Sequence, residues 1–222
     1  MEALRIDNTA SRQLDDGEIV KRVVAGEKAL FEILLRRYNQ TLFRVVRSYL
    51  RDENEVQDAM QNAYLKAFDK LHQFQGNAAF STWLIRIGIN EALLRLKDMK
   101  KEKTIYLQPD YTNAEKLNQI ADKQLNPEKV IIRQETQRIL EHAIDMLPEK
   151  YRVIYILKEV EGLSNNQVME SLDITDSNIK VRLHRAKSLL KDSLYKLSSG
   201  NEVFEFGNSR CDAVVEFVMK AI

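Results

Sequence analysis

Apolar residues recur at helical spacing along nearly the whole of this 222-residue chain, and very little interrupts them. Seven glycines and three prolines are too few for the many turns of a β-sandwich or barrel, so the spacing predicts an all-α protein. Asp15 or Asp16 is placed to cap a short helix carrying Ile19, Val20, Val23 and Val24, with Gly26 as its stop. A longer helix over 28–50 has Leu30, Leu34, Tyr38, Leu42, Val45 and Tyr49 as its stripe, and Asp52–Asn54 breaks it. Residues 55–71 carry the cleanest pattern, in Val56, Ala59, Met60, Ala63, Tyr64, Ala67, Phe68 and Leu71. Residues 72–79, with Gly76 and Asn77, read as a loop, after which Ser81 or Thr82 caps a helix reaching about Lys101.

Over 103–126 no stripe is sustained, and Pro109, Asn113, Asn118 and Asn126 mark a linker. Order returns at Pro127, which suits the first turn of a helix reaching Met146. Pro148 starts another helix, to Val160, with Gly162 as its stop. The expected architecture is two small helical domains, 15–102 and 127–198, joined by a flexible linker, 103–126, and followed by a C-terminal helical extension, 199–222. In the extension, Asn208 or Ser209 can cap a helix with an apolar stripe of Cys211, Val214, Val215, Val218, Met219 and Ile222. About fourteen residues are too few to hold a helix in water alone, so that stripe is expected to dock. Packing on the second domain is the plain reading; a regulator-binding or self-inhibiting contact is the sharper one.

Composition bounds the function. A chain that is 44% hydrophobic and 30% charged can bury a core and stay in solution. One cysteine excludes an intramolecular disulfide and a Cys-cluster metal site and fits a reducing compartment. The first sixteen residues hold no apolar leader, and no run approaches a membrane span, so a cytoplasmic protein without membrane insertion is expected. His72, His142 and His184 are scattered, and no phosphate-binding or dinucleotide-binding glycine loop or HExxH is present; neither an enzyme nor a cofactor is expected. The net charge of +1 is low for a nucleic-acid binder, but location counts for more than the sum. Lys180, Arg182, Arg185, Lys187, Lys191 and Lys196 form one basic patch, and Arg86, Arg95, Lys97, Lys100, Lys101 and Lys103 another.

The first patch lies on a helix-turn-helix. Ser164 with Gln167 three residues on is a capping-box pattern for a short helix with Val168 and Leu172 inward. Asp173, Ile174 and Thr175 make a three-residue turn, and a second helix begins at Asp176 or Ser177. Its Ile179, Leu183, Ala186 and Leu190 form one inward face. Lys180, Arg182 and Lys187 flank that face, where long side chains reach phosphates. Ser177, Asn178, Val181, His184, Arg185 and Ser188 face away, where Asn can read adenine, Arg guanine and Val181 a thymine methyl. A helical hairpin with a solvated basic face is the bland alternative; capping, turn length and inward stripe together favour duplex DNA.

Residues 151–191, YRVIYILKEVEGLSNNQVMESLDITDSNIKVRLHRAKSLLK, resemble the C-terminal promoter-binding domain of bacterial sigma factors of the extracytoplasmic-function group, chiefly through EVEGLS, IKVR and LHRAK. Response-regulator activators share a related helix-turn-helix, so the N-terminal half decides. There ALFEILLRRYNQTLFRVVRSYLRDENEVQDAMQNAYLKAFDKLHQFQGNAAFSTWLIRIGINEALLRLK resembles the conserved domain of the same family, with the FSTWLIRI helix in its expected place. The resemblance implies a sigma subunit whose first domain binds core RNA polymerase through the 55–71 helix and opens the −10 promoter element. The helix-turn-helix would read the −35 element. The exposed Gln57, Asp58, Gln61, Asn62, Leu65 and Lys66 become the polymerase contact, although Asn62 stands where an acidic residue is common. Asp173 likewise occupies a turn position usually held by Gly, and Asp tolerates left-handed backbone better than most residues.

Capturing bases that have left the stack needs apolar surface, a small pocket and nearby positive charge. Residues 72–83 offer His72, Phe74, Phe80 and Trp83 around Gln75, Gly76, Asn77, Ala78 and Ala79, beside Arg86. Asn77, Ser81 and Thr82 could hydrogen-bond a base or its phosphate; Phe80 and Trp83 individually read better as core. An anti-sigma factor is a further partner that the resemblance implies. Two other readings stay open on sequence alone: an activator that binds duplex DNA without joining polymerase, and a protein-binding helical scaffold.

Overall fold

The computed structural model describes residues 14–105 and 127–198, and among them every regular element is helical. Residues 106–126 and the extension 199–222, with Cys211 and its stripe, lie outside the described residues.

Helix α1 (Asp16–Val24) starts where Asp15 accepts the Gly17 N–H at 3.0 Å, and Gly26 (φ +117°) turns the chain after it. One 3-10 turn leads into α2 (Phe31–Arg47). Helix α3 (Glu53–Asp69) begins two residues earlier than the apolar pattern indicated. Asp52 caps it, its carboxylate accepting the N–H groups of Asn54 and Glu55 at 2.9 and 3.1 Å. Helix α4 (Phe80–Ile105) also starts early. Neither Ser81 nor Thr82 caps it, because Phe80 is already in the first turn and is locked among other aromatic rings. Leu34, Leu42, Val45, Val56, Ala63, Leu84, Ile85 and Ile89 are buried where α2, α3 and α4 meet. Each large aliphatic side chain so buried stabilises the fold by roughly 1.5–3 kcal/mol. Gly88 brings α4 close to α2: a Cβ there would lie 2.4 Å from Leu42 Cδ1.

The second half runs α5 (Pro127–Asp145), α6 (Glu149–Tyr155), α7 (Asn165–Leu172) and α8 (Asp176–Ser198). Helix α6 passes without a break into a wider π turn at Ile156–Val160, and Gly162 (φ +67°) ends it, as its position in the sequence implied.

The two halves pack on each other. Val153, Ile154, Leu157, Leu163, Val168 and Ile179 share one continuous core with the residues of α1 to α4, and α7 lies against α4. Arg47 makes a two-pronged pair with Asp145 (2.7 and 3.0 Å), and Arg44 pairs with Glu161 at 2.9 Å. A second, smaller cluster of Ala143, Leu147 and Leu190 sits between α5, α6 and α8. Among the described residues no helix is long and apolar enough to cross a membrane.

Candidate nucleic-acid interface

The helix-turn-helix is built as the sequence indicated, and each joint has a visible cause. Ser164 accepts the Gln167 N–H, and the Gln167 side chain accepts the Ser164 N–H at 2.8 Å, closing the capping box. Asp173 takes the left-handed conformation (φ 52°, ψ 51°) that the turn demands. Thr175, which the sequence reading placed only in the turn, caps α8 by accepting the Asn178 N–H at 3.3 Å. Inward, Ile179, Ala186 and Leu190 are buried and Leu183 is half-buried.

The outer face is open. Ser177, Lys180, Val181, His184, Arg185 and Lys187 are exposed, and Asn178 and Ser188 are half-buried. Val181 is the telling residue: an aliphatic side chain 69% exposed on a basic helix is a poor solvated-surface choice and a good partner for a base methyl. Two flanking cations are already engaged. Lys180 pairs with Asp176 at 2.7 Å, one turn back, and Lys187 pairs with Glu159 at 2.9 Å. Lys180, followed by the Asn165 amide, holds the Asp176 carboxyl below the usual carboxylate range. Arg182 is half-buried, and its charge is felt at Tyr49 of the first half. Burial pushes the Tyr49 phenol up, Glu149 adds to that, and the Arg182 charge opposes it. The Asp176–Lys180 pair was visible in the sequence as an i,i+4 spacing; the Glu159 partner needed the fold.

The second candidate surface is the loop between α3 and α4. Gln75, Gly76, Asn77 and Ala79 are exposed and Ala78 is half-buried, with Gly76 at φ +74° and the Asn77 amide donating to Gln75 at 3.1 Å. Beneath them lies an aromatic cluster. Phe74 meets Phe80 edge-on at 5.6 Å, and Trp83 is 5.5 Å from Phe74 and 5.7 Å from Phe80. Phe80 and Thr82 are each 2% exposed, so neither is open to a nucleic acid; Phe80 packs on Phe74 and Trp83 beneath the loop. Thr82 also keeps a buried hydroxyl with no hydrogen-bond partner. Trp83 and Ser81 are half-buried, and Arg86 is exposed one turn on.

On α3, Gln57, Asp58, Gln61, Asn62 and Leu65 form one exposed face, with Leu65 66% exposed. Lys66 stands apart: its ammonium pairs at 2.7 Å with Glu91 of α4, a nearly buried carboxylate that the sequence reading passed over.

These two surfaces coincide with two family matches. Residues 34–102 match the model described as Sigma-70 region 2, and residues 137–190 match Sigma-70, region 4; together they take in more than half of the chain. The chain belongs to the sigma factors of the extracytoplasmic-function group. This sigma factor is 29% identical over 194 residues to RNA polymerase sigma-H factor of Pseudomonas aeruginosa, covering 83% of this chain and 96% of that one. It is also 29% identical over 189 residues to ECF RNA polymerase sigma-E factor of Haemophilus influenzae, covering 84% and 99%. Among solved structures it is similar to the sigma factor RpoE of Bartonella quintana, crystallised with the anti-sigma factor NepR. That likeness has a TM-score of 0.61 at 20% identity, covers 74% of this chain and 96% of that one, and concerns the fold alone. As a member of its family, this sigma factor directs promoter-specific transcription initiation.

Proposed function

We propose that this sigma factor grips a promoter at two points while bound to core RNA polymerase in the cytoplasm. Region 4 reads the −35 element with Ser177, Asn178, Val181, His184 and Arg185, and Lys180, Arg182 and Lys187 hold the phosphates. Region 2 captures unpaired −10 bases on the loop 75–79 over its aromatic floor, with Ser81, Trp83 and Arg86 at the rim. The exposed face of α3 from Gln57 to Leu65 meets the polymerase, and Lys66 serves that face through Glu91. The division into 15–102, 103–126, 127–198 and 199–222 follows this assignment. No chemical step is assigned to the chain itself. An anti-sigma factor is proposed as a further partner by likeness to the relative solved with NepR.

The observation that carries the reading is the open, capped helix-turn-helix with Val181 and Arg185 outermost. Adding the full chain to core polymerase should start transcription at a promoter, whereas an activator would work only on polymerase that already holds a sigma subunit. Lys180→Ala with Arg185→Ala should weaken duplex binding and, through the lost Lys180 phosphate contact, lower the slope of log affinity against log salt by about 1. An unchanged slope would remove the assignment. An unpaired −10 oligonucleotide should bind the chain, and replacing Gln75 and Asn77 by Ala should reduce that binding at least severalfold; indifference would detach the loop from DNA.

A further inference from the structure

The end of α8 lines an open groove of about 880 Å³ formed with α5 and the α6 region, and its apolar wall is Ile139, Tyr155, Leu190 and Leu194, with Tyr195 at its edge. It sits over the smaller cluster, in which, among the described residues, Ala143, Leu147 and Leu190 are fully buried, while Ile144, Tyr155, Leu189 and Leu194 are half-covered. Ile139 and Tyr195 are exposed, at 40% and 73%. Among the described residues this cluster is open on the groove side, and well-packed interiors leave few such openings.

We infer that the groove is the docking site of this chain's own C-terminal segment, residues 209–222, which lies on it as an amphipathic helix. Three observations single out that occupant. First, the chain leaves α8 at the groove itself, since Leu194, Tyr195 and Lys196 line it and the helix ends at Ser198. Residues 199–208 span up to about 35 Å when extended, enough to turn back on the wall they have just left. Second, the segment's stripe of Cys211, Val214, Val215, Val218, Met219 and Ile222 is helical in period and supplies the apolar layer the cluster lacks. Third, the charges are complementary. Asp212 and Glu216, four apart, flank the stripe. On the groove Lys187 is paired with Glu159 and Asp192 adds one acid, and Lys191 and Lys196 supply the cations that face the segment. The segment alone is too short to hold a helix in water, and the groove removes that obstacle. Any protein that needs this face of region 4 then has to displace the chain's own terminus. The inference rests on the groove and the segment, and shares with the proposed reading of DNA the single residue Lys187.

Cys211 is the chain's one cysteine and gives the test a built-in handle. In dilute full-length protein, Ile139→Cys or Tyr195→Cys should form an intrachain disulfide with Cys211 under mild oxidation, seen by non-reducing electrophoresis and mass spectrometry. Gln40→Cys, exposed on α2, should form it at least tenfold more slowly. Since a disulfide needs Cα atoms within about 7 Å, pairing reports a docked segment. Amide exchange in the otherwise natural chain should show 209–222 protected, and Val214→Asp with Val218→Asp should abolish that protection while leaving α1 to α4 unchanged. Equal disulfide rates at all three positions, interchain disulfides only, or no protection of 209–222 would each overturn the inference.

Discussion

Arg152 is 4% exposed, and among the described residues no carboxylate pairs with its guanidinium. Its Nε donates to the Ser48 carbonyl at 2.7 Å, and one Nη donates to the carbonyls of Asp145 and Leu147 at 3.0 and 3.1 Å. Those acceptors are the C-terminal ends of α2 and α5, where unsatisfied carbonyls concentrate partial negative charge, so two helix ends supply what an ion pair would otherwise provide. Burial pulls the Arg152 guanidinium below its ordinary value, and Arg51 reinforces this while Asp145 opposes it. Arg152→Met keeps the stem but strands the carbonyls of Ser48 and Leu147, while Arg51 still donates to that of Asp145 at 2.8 Å. It should cost about 2–4 kcal/mol in urea unfolding. A loss below about 0.5 kcal/mol would mean that water satisfies those carbonyls. The sequence did not mark this residue, because its partners are backbone atoms of distant helices and carry no side-chain pattern. Asp173 was legible for the opposite reason: a turn of fixed length needs one left-handed residue, and the chain offers a residue type that tolerates it.

At the scale of elements, the EVEGLS stretch shows how much a motif can hold. Glu159 pairs with Lys187, Glu161 with Arg44, Gly162 supplies the left-handed stop, Leu163 is buried, and Ser164 caps α7. Periodicity found every helix that carries the site, and local chemistry found the caps at Asp15 and Ser164. It missed the true starts of α3 and α4 because an apolar stripe begins only where the helix meets the core, not where its hydrogen bonds begin. It also missed the π turn, whose apolar residues fit an α-helical count equally well. Gly88 was invisible for a different reason, since closeness of two helices is a property of the pair. Alanine is the better helix former by roughly 1 kcal/mol, so propensity alone favours Gly88→Ala. Packing reverses the sign: the new Cβ would lie 2.4 Å from Cδ1 of Leu42, which is 0% exposed within the core, and forcing a buried side chain aside costs more than the propensity gain. Gly88→Ala should lower stability by about 1–3 kcal/mol, and Gly88→Ala with Leu42→Ala should not show the same clash. Thermal melts of the two variants decide it; a more stable single variant would show that α2 and α4 separate freely.

At the scale of the whole molecule, the two halves form one body, and that body is too small for a promoter grip at two points. The −35 and −10 elements are centred roughly 25 base pairs apart, or about 85 Å of duplex at 3.4 Å per step. A compact body of this chain length is about 40 Å across. A chain of the length of residues 106–126 spans up to about 70 Å when extended, so the proposed two-point grip is within covalent reach once the halves part. Opening has to break the Arg47–Asp145 and Arg44–Glu161 pairs and expose the shared core around Ile154 and Leu157. The Arg47 pair is half-exposed and contributes about 1 kcal/mol or less, but Glu161 is 6% exposed on its side chain and becomes costly once unpaired. Arg47→Glu sets a like charge against Asp145, and its effect can be read as the distance between spin labels at Gln40→Cys and Glu170→Cys in a Cys211→Ser background. The distribution should broaden to longer distances with Arg47→Glu and contract again when Asp145→Arg restores the pair with its sign reversed. Raising salt should lengthen the distance in the unsubstituted chain, because a partly exposed pair is screened within a Debye length of about 10 Å at 0.1 M. If Arg47→Glu leaves the distance unchanged, the apolar contact alone holds the halves together and the charged latch is not what a partner must release.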